Sequence, residues 1–162
     1  MNLFVGDAVD ILFNLDVNEY NGRRSVQLIV RDIRLCEHSR AAAADEQAHF
    51  DEIWAGATFS AEEKLVPNRD DFAAVYTLVC RIVRAGCDTI SHRALLTKLQ
   101  GAGRGDIGYI KLKIIIRVLQ ELNLMGIEEV SEENYRFSIH FTNKKTDLEK
   151  SNWLHRLRAQ QR

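Results

Sequence analysis

The stretch 9-VDILFNLDVNEYNGRRSVQLIVRDIRL-35 decides how the first part of the chain is read. Val9, Ile11, Phe13, Leu15 and Val17 alternate with Asp10, Leu12, Asn14 and Asp16. A period of two predicts a strand with one buried face. Asn21 and Gly22 follow, two residues that accept positive φ and so favour a tight hairpin turn. The segment 19-EYNGRR-24 holds either a two-residue turn or a slightly longer loop. A second strand is predicted from about Ser25 to Leu35. Simple alternation puts Val26, Leu28 and Val30 on one face and Gln27, Ile29, Arg31 and Ile33 on the other, so both faces are expected to be partly covered. A lone hairpin is marginal in water and has two open edges. This one is expected to need the rest of the chain or a partner.

Outward from the hairpin the pattern changes. The run 40-RAAAADEQAHFDEIWAG-56 predicts a short helix with Phe50, Ile53 and Trp54 on one stripe and Gly56 as its stop. The piece 57-ATFSAEEKLVPNRDD-71 holds the only proline, Pro67, and reads as a connector. From Arg69 the spacing is helical. Phe72, Val75, Tyr76, Val79, Ile82 and Val83 share a stripe, with Asp70 or Asp71 as the expected N-cap and Gly86 as the stop. A second helix is predicted over 91-SHRALLTKLQ-100, capped by Ser91. A third runs from about Ile110 to Asn123, burying Ile114, Ile115, Val118, Leu119 and Leu122, with Lys111, Lys113 and Arg117 largely off that face. Two strands, 124-LMGIEEV-130 and 135-YRFSIHF-141, flank the turn 131-SEEN-134. Three helices followed by a ribbon predict a winged-helix-like domain. In the tail, Leu148, Trp153, Leu154 and Leu157 are expected to dock on the body, with Arg156, Arg158 and Arg162 near the helix C-terminus.

The expected class is therefore α+β. Residues 1–36 form the hairpin unit, 37–69 a helical connector and linker, 70–141 the winged-helix-like domain and 142–162 a tail helix. The 162 residues are 46% hydrophobic, enough for one ordinary domain or two small ones. Twenty-two Lys and Arg stand against 23 Asp and Glu, a balance that argues against a strongly basic nucleic-acid or membrane module. No apolar run reaches the roughly 18 residues of a membrane span. Cys36, Cys80 and Cys87 contain no CxxC pair, and a reducing cytoplasm is the expected setting.

The phrases 13-FNLDVNEYNGRRSVQLIVRDIR-34, 65-LVPNRDDFAAVYTLV-79, 117-RVLQELNLMGIEEV-130 and 148-LEKSNWLHRL-157 resemble the C-terminal region of bacterial RecJ-type single-stranded-DNA exonucleases. The likeness spans most of the chain, least clearly residues 38–63. It implies that the hairpin ends an oligonucleotide-binding fold, a barrel normally of five strands. It also implies that the remainder is the C-terminal extension of such an enzyme. The nuclease core of that family belongs to the DHH phosphoesterases and uses clustered Asp and His residues to hold divalent metal, typically manganese. This chain has no DHH tripeptide, and His38, His49, His92, His140 and His155 form no spaced ligand set. No catalytic or metal residue is carried over, and no cofactor is assigned to the chain itself.

The first binding candidates are Arg23, Arg24, Arg31 and Arg34, with Tyr20 to stack on a base and Asn21 to hydrogen-bond one, the combination used on single strands. Ordinary surface arginines beside a polar turn are the competing explanation. Lys98, Arg104, Lys111, Lys113 and Arg117 form a weaker set for DNA or protein. The acidic wing and Glu128 and Glu129 repel phosphate, which favours protein contact there. The glycine-rich 101-GAGRGDIG-108 follows a helix and lacks a GKS or GKT ending, so it reads as a helix-to-helix turn. Trp54 is expected to cover the hairpin and Trp153 to dock the tail, with an exposed anchor for a partner as the alternative for either.

The expected function is accessory: positioning single-stranded DNA or proteins for a RecJ-type 5′-to-3′ exonuclease in repair and recombination, with no catalysis by this chain alone. Its expected partners are single-stranded DNA, the catalytic domains of such an enzyme, and a second copy paired through strand edges. A stand-alone DNA-binding module, or a module docking a helicase or the single-stranded-DNA-binding protein, are the alternatives.

Overall fold

A computed structural model describes residues 9–131, 134–140 and 146–162, leaving aside the side chains of 35, 37–41 and 43. Glu132, Glu133, Phe141 and the start of the tail fall outside the described residues, as does the side chain of His38. The elements are β1 (Val9–Tyr20), β2 (Arg23–Leu35), α1 (Glu37–Ala55), α2 (Arg69–Arg84), β3 (Thr89–Ser91), α3 (His92–Gly101), α4 (Tyr109–Glu121), β4 (Met125–Ser131), β5 (Asn134–Ile139) and α5 (Asn152–Gln160). The class is α+β. β1 and β2 form one antiparallel sheet, and β3, β5 and β4, in that order, form another.

The hairpin closes through Asn21 (φ 52°) and Gly22 (φ 69°), so that Tyr20 pairs with Arg23. Both turn residues are left-handed, which the right-handed twist of the flanking strands requires. One irregularity matters. Leu12 pairs with Asp32 but Phe13 pairs with Val30, which leaves Arg31 as the extra residue of a β-bulge. An inserted residue changes the side-chain parity of everything beyond it. Ile33 therefore lies opposite Ile11, on the same face as Val26, Leu28 and Val30. Simple alternation had placed it on the other face.

The buried apolar residues from Phe50 to Leu157 form one core. α4 is its axis: Leu112, Ile114, Ile115, Val118 and Leu119 are essentially inaccessible. α1, α2, α3 and β4 all pack on it. Lys111 and Lys113, expected off the buried face, are buried as well. A buried amine needs a polar partner, and both have one: Lys111 in the Asp71 carboxylate and Lys113 in the Gln47 amide oxygen. The connector contributes Phe50, Ile53, Phe59 and Leu65 to this core, and the tail contributes Leu154 and Leu157.

The helix ends follow local chemistry. The N-cap of α2 is Asn68, not Asp70 or Asp71. Its side chain accepts hydrogen bonds from the Asp70 and Asp71 amides at 2.8 and 3.0 Å, and the Asp71 carboxylate accepts from the Asn68 amide at 2.9 Å. This is a reciprocal capping box. Ser91 caps α3 through the Ala94 amide, as its position predicts. β3 was not legible as a strand because three residues carry no periodicity. It is held by pairing Thr89, Ile90 and Ser91 with Arg136, Tyr135 and Asn134.

The tail is stitched back over α1. The Gln160 amide donates to the Ile53 and Ala57 carbonyls at 2.9 and 3.0 Å. Phe59 bridges to Gln161 in parallel fashion, and the Arg162 amide donates to the Phe59 carbonyl at 3.0 Å. Trp54 does not cover the hairpin. It stacks on Trp153 with ring centroids 3.4 Å apart, fastening α1 to α5. The docked tail thus matches the sequence reading, and both tryptophans pack within the molecule.

Candidate functional site

Among the described residues, all the exposed large apolar side chains but Val130 lie on the hairpin. Its two faces are chemically distinct. One carries Val9, Ile11, Phe13, Leu15 and Val17 from β1 and Val26, Leu28, Val30 and Ile33 from β2, placed opposite one another by the register. Leu15, Leu28 and Val26 are 69%, 61% and 70% exposed. Among the described residues, no other element lies against either strand to more than a marginal extent. Exposed apolar surface of this continuity marks an interaction site rather than ordinary surface scatter. The Glu19–Arg24 ion pair, 3.0 Å, closes that face at the turn.

The opposite face collects most of the nucleic-acid candidates. Tyr20 pairs with Arg23 at the tip, where both are exposed. Arg31, projected by the bulge, meets Asn14: with the Asn14 amide oxygen facing it, the guanidinium donates two hydrogen bonds of 3.2 Å. Arg34 lies 3.7 Å from Asp10 at the base. Gln27 donates to Asp16 at 3.2 Å. The structure thus brings Tyr20, Arg23, Arg31 and Arg34 to one face and puts Arg24 on the other, with Asn21 exposed in the turn. Asp10, Asp16 and Asp32 lie on the same face as the three arginines. The face is therefore close to neutral, a weak attractor for a phosphate backbone.

The second basic set is dispersed. Arg104 and Lys111 converge on Asp71, whose side chain is fully buried. Lys111 Nζ lies 2.8 Å from one carboxylate oxygen, and the Arg104 guanidinium bonds the other. Arg104 also donates to Asp106 at 3.0 Å and to the Asp70 carbonyl at 3.1 Å. The guanidinium holds the Asp106 carboxyl down at about 2. Lys113 bonds the Gln47 side chain and sits over the rings of Tyr109 and Phe50, 5.4 and 5.5 Å from their centroids. Arg117 pairs with Glu129 at 2.7 Å. Lys98 is exposed in the last turn of α3. Four of the five thus have carboxylate or amide partners, and α4 presents no open basic face. The glycine-rich loop joins α3 to α4, as expected, and its chemistry is to deliver Arg104 and Asp106 to this cluster.

Two interior groups carried no clear sequence signal. Asp71 looked like a capping residue and is also the buried counter-ion of two cations. A capping box followed some 30 residues later by Arg and Lys gives only a faint hint of that. His92 is wholly buried between Tyr109 and Tyr135, its Nε2 3.0 Å from the Tyr109 carbonyl. Burial, with the Lys113 charge nearby, pushes it down to about 3, so the ring is neutral at ordinary pH. Among the described residues, no group of three or more His, Cys, Asp or Glu is arranged to hold a metal ion. No described helix is long and apolar enough to cross a membrane. Comparison of the chain with protein-family models, with curated proteins and with solved structures found no match.

Proposed function

We propose that this chain is the non-catalytic C-terminal part of a RecJ-type 5′-to-3′ single-stranded-DNA exonuclease, acting in the cytoplasm to position DNA or partner proteins during repair and recombination. In this reading β1 and β2 are wall strands of an oligonucleotide-binding barrel, and α2 to β5 form a winged-helix-like domain. The observation that carries it is the two-faced hairpin. One face is continuously apolar and uncovered by the other described elements, and the other carries Tyr20, three arginines and three aspartates around Leu12 and Ile29. A barrel wall has that character, with one face inside and one in solvent. The DHH-type core of the proposed parent, with manganese, would carry the hydrolysis, so no nuclease activity is expected from this chain with manganese added.

Fluorescence-polarisation titration with single-stranded and duplex oligonucleotides at two salt concentrations tests the DNA part. The expected outcome is preference for single strands that weakens with salt. An Arg23→Ala/Arg31→Ala/Arg34→Ala variant, which removes the three arginines of that face, is expected to bind several-fold more weakly. Equal binding by parent and variant would remove the assigned site.

A second reading, docking of a helicase or the single-stranded-DNA-binding protein, is favoured by two observations. The polar face is charge-balanced, and Lys111 and Lys113 are turned inward. Absence of DNA binding at low salt would select it.

A further inference from the structure

We propose that two copies of this chain associate in solution by packing the apolar faces of their hairpins against each other, face to face rather than edge to edge. Three observations converge on a second copy as the occupant. The first is area. Eight residues of the face remain between 36% and 70% exposed. Together they present roughly 800 Å² per hairpin, the share each partner brings to an interface of standard size. The second is charge. The face is uncharged from Val9 to Val17 and from Val26 to Val30, so an identical surface meets no repulsion across a two-fold axis. Its one ion pair, Glu19 with Arg24, is compensated internally at the rim. The third is the bulge at Arg31. It brings Ile33 onto the face, extending the apolar strip toward the hairpin base and adding the local twist that aligned sheet packing uses.

Edge pairing is the less favourable geometry. It would satisfy backbone groups but leave both apolar faces in water. Face packing buries them and leaves Asp10, Asp16, Asp32 and the arginines in solvent. The association does not depend on DNA binding. In the nuclease reading, the remaining strands of the barrel and a second copy would compete for the same surface.

The test is sedimentation equilibrium of the 162-residue chain over a micromolar concentration range, with two variants. Leu28→Asp puts a carboxylate at the centre of the face, opposite Leu15, and Ile29→Asp puts one on the polar face. The parent is expected to be a dimer. Leu28→Asp is expected to weaken it by roughly 100-fold or more, because a charge would be buried without a partner. Ile29→Asp should leave it near the parent's value. A parent that stays monomeric to about 100 μM, a dimer that survives Leu28→Asp, or growth into open oligomers would each overturn the proposal. A dimer without DNA affinity upholds it while removing the DNA reading. DNA affinity in a strict monomer does the reverse.

Discussion

Asp71 shows what one residue does in this molecule. It completes the capping box of α2 and accepts Arg104 and Lys111 with no exposure of its own. Removing one partner of a buried ionic cluster strands the others. Asp71→Ala is therefore expected to cost about 3–5 kcal/mol, read from urea denaturation. A cost below about 1 kcal/mol would show that solvent reaches the two cations. His92 supplies a second residue-scale prediction. Its native pKa of about 3 lies below the unfolded value of about 6.5. Its contribution is full above pH 6.5 and is lost as pH falls from there towards 3, because only the unfolded ring takes up the proton. The slope contributed is up to about 1.4 kcal/mol per pH unit. Between pH 7 and 5, the midpoint for His92→Gln should fall less steeply than for the parent. Parallel slopes would mean that the native ring protonates freely. Neither role was legible in the sequence. Both depend on residues brought together from positions 17 to 43 apart, and charged residues at helical spacing look the same whether they face water or a buried partner.

At the scale of elements, legibility tracked the strength of local signals. The turn at Asn21-Gly22, the cap at Ser91, the stops at Gly56 and Gly86 and the stripe of α2 are all written in neighbouring residues, and the structure has them. The inside-outside parity of β2 was not, because a bulge is an insertion measured against a partner strand and leaves no mark in one strand's own alternation. Deleting Arg31 tests that account. With the extra residue gone, the ladder should run without the bulge in the same register, keeping Asp32 opposite Leu12 and Ile33 opposite Ile11. Cross-strand nuclear Overhauser effects between residues 11 and 33 report the register, and loss of those contacts would contradict the parity argument. The tail adds a further prediction. Trp153→Ala removes the ring stacked on Trp54 and the platform under Arg156, which lies 5.0 Å from its centroid. Amide exchange should accelerate in α5 and the last turns of α1, while α4 keeps its protection. Uniform acceleration would show that the tail and the core open together.

At the scale of the whole molecule, burial divides unevenly. α1, the connector and the tail belong to the body around α4, so the packing of that body cannot be described without them. The candidate site was legible as a set of residue types, and its arrangement was not. The sequence carries no count of how many carboxylates share a face with the arginines, nor any sign that Lys111 and Lys113 turn inward. The hairpin stands outside that shared core, held by its own ladder and by the chain leading into α1. Heat capacity of unfolding follows apolar surface that becomes newly hydrated. The hairpin's apolar face is already wet, so a calorimeter should register the body's transition and scarcely notice the hairpin melting. Whatever settles on that face would make the hairpin visible as a second, concentration-dependent endotherm, and its enthalpy would belong to the encounter as much as to the fold.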